Sequence, residues 1–260
     1  MPSSGFLACA VIPVYNHERA VGAVVEGVAA QGLHIFLVDD GCSEICRSEL
    51  RRLSEAAHIT LLRHEVNQGK GAAVLTGMRA AHERGFTHAV QIDADGQHTL
   101  ADVSRLVDEA RAYPHGLVCG YPVFDASIPA VRYYGRYLTH AMVWLETLSL
   151  DIRDSMCGLR LYPLDEVVAL LAHARIGARM DFDTEIIVRM HWRNVPMRWI
   201  PTRVSYPTDG VSHFRMFFDN ARMTSLHIRL TLGMLVRAPM LLWRKLTRQS
   251  RERNAQKARA

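Results

Sequence analysis

No stretch of the 260-residue sequence reaches the ~18 uninterrupted apolar residues that a membrane-spanning helix needs. The opening MPSSGFLACAVIPVYN has no basic segment before its short apolar run, so no secretory leader is expected. Cysteine is sparse. Five are present, an odd number at irregular spacing, and several sit in apolar runs. That excludes a disulfide framework and predicts free thiols in a reducing compartment. Cys42 and Cys46 have no second Cys/His pair to complete a zinc site. Two glycine fingerprints are also missing. GKGAAV carries Val74 where a dinucleotide-binding turn has its third glycine, and NQGKGAA lacks the spacing of a phosphate loop. There is no internal repeat and no low-complexity linker.

What is present is an alternation. LACAVIPV, HIFLVDD, ITLLRH, HAVQID and GLVCGYP read as short buried strands. Between them lie amphipathic helical segments, such as the one with Val21, Val24, Val25 and Val28 at i, i+3, i+4 and i+7. This pattern predicts an α/β fold with a mostly parallel sheet covered on both faces. The second half departs from it. VRYYGRYLTHAMVWLETLSL is a long helical pattern, and DSMCGLRLYP is a loop leading into a short strand. DFDTEIIVRMHWRN is a helix and PMRWIPTRVSYP a strand. From about Phe214 the chain is rich in Met, Leu and Phe, with Arg215, Arg222, Arg229 and Arg237 near one helical stripe. Pro239 is expected to kink or break that helix. The net charge of +5 is concentrated at the end. Residues 244–260 hold seven basic side chains against Glu252, leaving the rest of the chain near neutral.

The chemistry is concentrated in acids at strand ends. In parallel sheets ligands bind outside the carboxyl ends of the strands, so VDDG (38–41) and IDADG (92–96) should share one crevice. Asp93, Asp95 and Gln97 offer only oxygen ligands, which suits a hard cation, Mg²⁺ or Mn²⁺. Such an ion leaves positions for diphosphate oxygens and neutralises a leaving group. Asp39 and Asp40 can grip a base or ribose, and Asn67, Gly69, Lys70 and Gly71 open a helix beside them. Arg132, Arg136, Arg160 and Arg215 are candidates for phosphate, which guanidinium binds through paired hydrogen bonds. Each feature has an ordinary alternative. Asp93 and Asp95 can be turn residues, as can Asp39 and Asp40, Lys70 a solvated lysine, and Arg132, Arg136 and Arg215 plain surface.

VIPVYN, VDDG, NQGKGAAVLTGMRAA, DADGQH, GLRLY and FDTEII occur in an order that resembles family 2 glycosyltransferases of the GT-A fold. The resemblance covers about residues 8–210 and is nearest to polyprenyl-phosphate mannose or glucose synthases. It implies that Pro13, Tyr15 and Asn16 pack the nucleotide base, and that Asp39 and Asp40 hold the nucleoside. It places Lys70 near the nucleotide, Asp93 and Asp95 on the metal, and Gln97 as a third metal contact. It also implies inversion at the anomeric carbon. The late QxxRW-like signal is degenerate, with SHFR (212–215) its nearest match, which favours a single transfer over polymer synthesis.

The expected protein is thus a metal-dependent glycosyltransferase. Residues 1–212 form the catalytic domain, 213–249 amphipathic membrane-interfacial helices, and 250–260 a basic disordered tail. The expected partners are a UDP- or GDP-linked sugar, a lipid acceptor and an anionic membrane surface. No nucleic acid is expected, because the body lacks a basic groove interleaved with aromatics. The expected location is the cytoplasmic face of the membrane. A polyprenyl phosphate acceptor needs no strong base. A hydroxyl acceptor would need one, with Asp183 or Glu185 as the candidates beside Asp95 in the catalytic set. Rival readings are a non-catalytic GT-A-like module at the membrane and, more distantly, a nucleotidyltransferase.

Overall fold

Short runs rich in Val, Ile and Leu form strands here, and the amphipathic segments between them form helices. The computed structural model describes residues 5–124, 130–203 and 216–257, with side chains except at 130–133, 216–217 and 248–257. The first half runs β1 (Ala8–Val14), α1 (Val21–Ala29), β2 (His34–Asp40), α2 (Glu44–Leu53), β3 (Ile59–His64), α3 (Lys70–Glu83), β4 (His88–Gln91), α4 (Asp102–Ala112) and β5 (Leu117–Val123). The second half runs α5 (Ala130–Thr147), β6 (Arg160–Pro163), α6 (Leu164–Leu171), α7 (Phe182–Trp192), β7 (Met197–Arg203) and α8 (Met216–Lys257). The sequence pattern anticipates these except the two-turn helix α6 and the continuity of α8.

Among the described residues the strands form one sheet in the order β3-β2-β1-β4-β6-β5-β7. β1 pairs in parallel with β2 and β4, β2 with β3, and β5 with β7. Only β6 runs antiparallel, between β4 and β5, and its register sets Arg160 opposite Gln91. Successive strand residues point to opposite faces. Ala10 and Ile12 face α1, α2 and α4, while Cys9 and Val11 face the layer of α3, α5, α6, α7 and α8. The five cysteines are all buried and unbridged.

The C-terminal region differs from expectation in two ways. It is one helix, α8, that continues through Pro239 where a helix pair was expected, and it extends to Lys257, into the stretch expected as a tail whose last three residues lie outside the described ones. A proline inside a helix removes one ladder hydrogen bond, at about 3 kcal/mol. Packing on both sides of it offsets that cost. Leu226, Leu230 and Met234 before the proline, and Leu241 after it, are buried in the same core as α7. Trp192 of α7 lies against Gly233, where a side chain would collide with its ring. Its indole donates to the Glu146 carbonyl at 2.9 Å, and Arg244 donates to the Trp192 carbonyl at 2.8 Å. One face of α8 therefore belongs to the domain's own core. The expected boundary at 212 and 213 lies outside the described residues.

Leu230→Ala should lower the unfolding free energy by about 2–5 kcal/mol. The urea midpoint should fall with little change in slope. A loss below about 1 kcal/mol would show that α8 contributes little to the core.

Candidate active site

The parallel strands β1, β2 and β4 bring their carboxyl ends together, and the acids that follow them meet there. Pro13 is buried within β1, and Tyr15 and Asn16 are half-buried just past its end. The Asn16 side-chain oxygen accepts from the Ser43 N–H at 2.8 Å, which joins the turn after β1 to the one after β2. Asp39 accepts from the Cys42 N–H at 2.7 Å, and the Nε atoms of Arg47 and Arg63 lie 3.7 and 3.8 Å from its other oxygen.

Asp40 has a different task. One oxygen accepts from His64 Nδ1 at 2.7 Å and from the Gln68 N–H at 2.9 Å. The other accepts from the Gly69 N–H at 2.8 Å. Buried and bonded through both oxygens, Asp40 shapes the loop before α3. Gly69 has φ +107°, and a side chain there would strike the Ala178 carbonyl and Arg179. Two hydrogen bonds hold the two loops together. Ala72 N–H donates to the Ala178 carbonyl at 2.9 Å, and Arg179 donates to the Asn67 side chain at 2.9 Å.

This packing delivers Lys70, the first residue of α3, to the acids. Its Nζ lies 2.7 and 2.9 Å from the two oxygens of Asp93 and 2.8 Å from Asp183 Oδ2. Burial works against the ammonium charge, but Asp183 and Asp93 outweigh it and hold the group above the ordinary lysine range. Burial would likewise raise Asp93, but Lys70 and His98 outweigh it and hold the carboxyl well below the usual range. The main chain of Gly158 lies so close that any side chain there would collide with the Asp93 carboxylate.

Asp95 is raised, first by burial and then by the Asp93 charge, and it accepts from the Gln97 N–H at 3.0 Å. Asp93 and Asp95 are thus a like-charged pair that a hard divalent cation would relieve. Among the described residues no three His, Cys, Asp or Glu side chains converge to hold an ion on their own. The donor chemistry fits Mg²⁺ or Mn²⁺ provided that other ligands complete the shell, as substrate phosphates commonly do.

Asp183 and Glu185 sit in the first turns of α7, and neither is free. Asp183 Oδ1 accepts from Gln91 Nε2 at 2.8 Å while Oδ2 holds Lys70. Glu185 is 0% exposed, and it accepts from Arg189 Nε and the Gly177 N–H, each at 2.8 Å. Glu185, expected as a possible base, is thus bonded through both oxygens inside the fold. It is ion-paired with Arg189, and its bond to the Gly177 N–H supports the 177–181 loop.

Arg160, expected as a phosphate ligand, is 0% exposed and donates to the Asp183 main-chain oxygen at 2.6 Å, so it buttresses α7 from within. Arg136 forms a paired contact with buried Asp154 at 2.5 and 2.7 Å. Arg136, expected as a phosphate ligand, thus shares its guanidinium with Asp154. The Arg132 side chain and all of Arg215 lie outside the described residues.

Three residues of the assembly escaped the sequence reading. Gln91 is an amide inside a buried strand, and such a group must be hydrogen-bonded. It donates to Asp183 and accepts from the Tyr162 hydroxyl at 3.1 Å. An amide in the otherwise apolar HAVQ was the available signal. Asp154 is the third. It accepts from the Met156 and Cys157 N–H groups at 2.9 and 2.7 Å, and this shapes the loop that carries Gly158 to Asp93.

Residues 9–162 match the model of glycosyl transferase family 2, and the chain belongs to that family. Three relatives are named for lipid-phosphate glycosylation. The UDP-N-acetylglucosamine–dolichyl-phosphate N-acetylglucosaminyltransferase of Methanococcus voltae is 24% identical, over 80% of this chain and 92% of its own. The polyprenol monophosphomannose synthase of Mycolicibacterium smegmatis is 29% identical, over 58% of this chain and 60% of its own. The dolichyl-phosphate beta-glucosyltransferase of Dictyostelium discoideum is 23% identical, over 75% of this chain and 65% of its own. Among solved structures, the glucosyl-3-phosphoglycerate synthase of Mycobacterium tuberculosis with UDP superposes with a TM-score of 0.64 at 14% identity. That match covers 89% of this chain and 80% of that one. The fold is GT-A and the protein is a glycosyltransferase.

Burial would raise the Asp154 carboxyl, but His140 and Arg136 outweigh it and hold it well below the usual range. A carboxyl depressed on folding adds stability above about pH 4, and that stability is lost as pH falls toward its folded value. Asp154→Asn should cost about 3–5 kcal/mol at neutral pH, because Arg136 loses its counter-charge. The gap between variant and wild type should shrink in urea melts run at decreasing pH. A pH-independent gap would contradict the ionised role.

Proposed function

We propose that this glycosyltransferase moves a sugar from a UDP- or GDP-linked donor onto polyprenyl phosphate, with inversion, assisted by Mg²⁺ or Mn²⁺. One observation carries the reading. Neither carboxylate available as a base is free: Asp183 is bonded through both oxygens, and Glu185 is buried in an ion pair. A hydroxyl acceptor must surrender a proton to such a group. A phosphate is already an anion at neutral pH and attacks without one. The names of the relatives support the same acceptor class.

In this reading Pro13, Tyr15, Asn16 and Asp39 line the nucleoside end, and Asp40 acts indirectly by shaping the loop that carries Lys70. Lys70 faces the diphosphate, and Asp93 and Asp95, with Gln97 beside them, hold the metal. The bound cation neutralises charge on the departing nucleoside diphosphate. Asp183 orients Lys70. Arg132 and Arg215 remain candidates for the acceptor phosphate.

We place the enzyme peripherally on the inner face of the cytoplasmic membrane. The face of α8 opposite the core exposes Ile228, Leu232, Leu235, Val236, Leu242 and Trp243 at helical spacing. α5, which packs on α8, exposes Leu138 and Leu145. Each basic residue near an anionic surface adds about 1 kcal/mol, and the chain beyond Trp243 is rich in them. No described helix is long and apolar enough to cross a membrane.

The test is transfer of labelled sugar from UDP- and GDP-sugars into organic-extractable product, with Mn²⁺ and either polyprenyl phosphate or the corresponding alcohol. Product should form with the phosphate alone. Its rate should be flat above the acceptor's second ionisation, near about pH 6, and Asp95→Asn should abolish it. Equal turnover with the alcohol would sink the phosphate reading. A second measurement addresses the membrane. Trp243→Glu with Leu235→Glu should reduce co-sedimentation with anionic vesicles, and unchanged binding would remove α8 from the interface.

A further inference from the structure

Lys70 occupies a place that the proposed reaction needs for something else. Its ammonium lies within 2.7–2.9 Å of both oxygens of Asp93, the carboxylate expected to hold the divalent cation. The same nitrogen lies 2.8 Å from Asp183, whose second oxygen is fixed by Gln91. The protein's own ammonium therefore offsets part of the charge of these acids. Any ion reaching Asp93 must share that carboxylate with a positive charge, and like charges at such range repel.

The position of Lys70 adds to the argument. It is the first residue of α3, where the helix dipole disfavours a cation and favours an anion. The two carboxylates offset this. Lysine carries its charge on a flexible four-carbon stem with three rotating donors, so it can change partners without moving the helix. The backbone around it is less adjustable, because Gly69 and Gly71 pack against the 177–182 segment.

We propose that Lys70 is a resident counter-cation that makes metal and nucleotide binding interdependent. Without nucleotide it holds Asp93 and weakens the affinity for a divalent ion. A nucleoside diphosphate supplies oxygens that draw the ammonium away and leave Asp93 to the metal. Coupling of this kind is reciprocal, so each ligand tightens the other by the same factor. Lys70 is then a positioning residue that discourages metal loading in the absence of the donor. This rests on reading the site as a metal-assisted nucleotide-sugar site, but it does not depend on the acceptor.

The test is equilibrium binding of Mn²⁺, followed by the electron paramagnetic resonance of the free ion, with and without UDP or GDP. Wild type should bind Mn²⁺ weakly alone, and one of the two nucleotides should tighten it by an order of magnitude or more. Lys70→Met should bind Mn²⁺ alone on the order of tenfold more tightly, with weaker nucleotide binding and a coupling factor smaller by about the same tenfold. Lys70→Arg, which keeps a cation, should retain weak binding of Mn²⁺ alone. Equal or weaker Mn²⁺ binding by Lys70→Met, in protein that melts cooperatively, would overturn the proposal. So would wild type whose Mn²⁺ affinity neither nucleotide changes, a measurement that needs no variant to fold. If the coupling is present but no lipid phosphate is glycosylated, the acceptor reading fails and this one stands.

Discussion

A single ammonium, that of Lys70, sits among acids contributed by distant parts of the chain, Asp93 after β4 and Asp183 on α7. Two carboxylates brought that close would repel each other unless a cation lay between them. Much of the surrounding structure places that cation. Asp40 fixes the loop before α3, and Gly69 lets the chain pass under Ala178. Gln91 and Tyr162 fix Asp183 from the sheet, and Arg160 holds its main chain from below. Removing the ammonium would leave partly buried acids unpaired, the kind of defect that costs several kcal/mol.

The acids of the chain divide into two groups by their partners. Asp40, Asp154 and Glu185 have their carboxylates filled by main-chain N–H groups, histidine or arginine, and each holds a loop against the site. Asp93 and Asp95 instead face each other and a movable lysine, with His98 and the Gln97 N–H beside them, and keep a charge pattern that an incoming metal and diphosphate can complete.

Much of the fold was legible in the sequence because it depends on local patterns. Val21, Val24, Val25 and Val28 fall on one face of a helix, and HIFLVDD can only be a buried strand ending in acid. The location of the site was legible for the same reason, since the acids stand at strand ends. The assignment of individual acids was not. Glu185 and Asp183 are two residues apart and look alike in sequence. Arg189 and the Gly177 N–H occupy one, while Lys70, more than a hundred residues away in sequence, occupies the other. Arg160 reads as an anion ligand until β6 buries it opposite Gln91. Pro239 reads as a kink or a break, and α8 runs on through it with Met234 and Leu241 buried in the same core on either side.

The central claim is that the Lys70 ammonium exchanges Asp93 for a diphosphate when donor and metal arrive together. The most direct measurement is a crystal structure with Mn²⁺ and the nucleoside diphosphate that the protein binds. The account predicts the metal on Asp93 and Asp95, and Lys70 released from Asp93 with its nitrogen on a phosphate oxygen. A structure in which Lys70 still holds both oxygens of Asp93, with the metal and diphosphate bound, would contradict it.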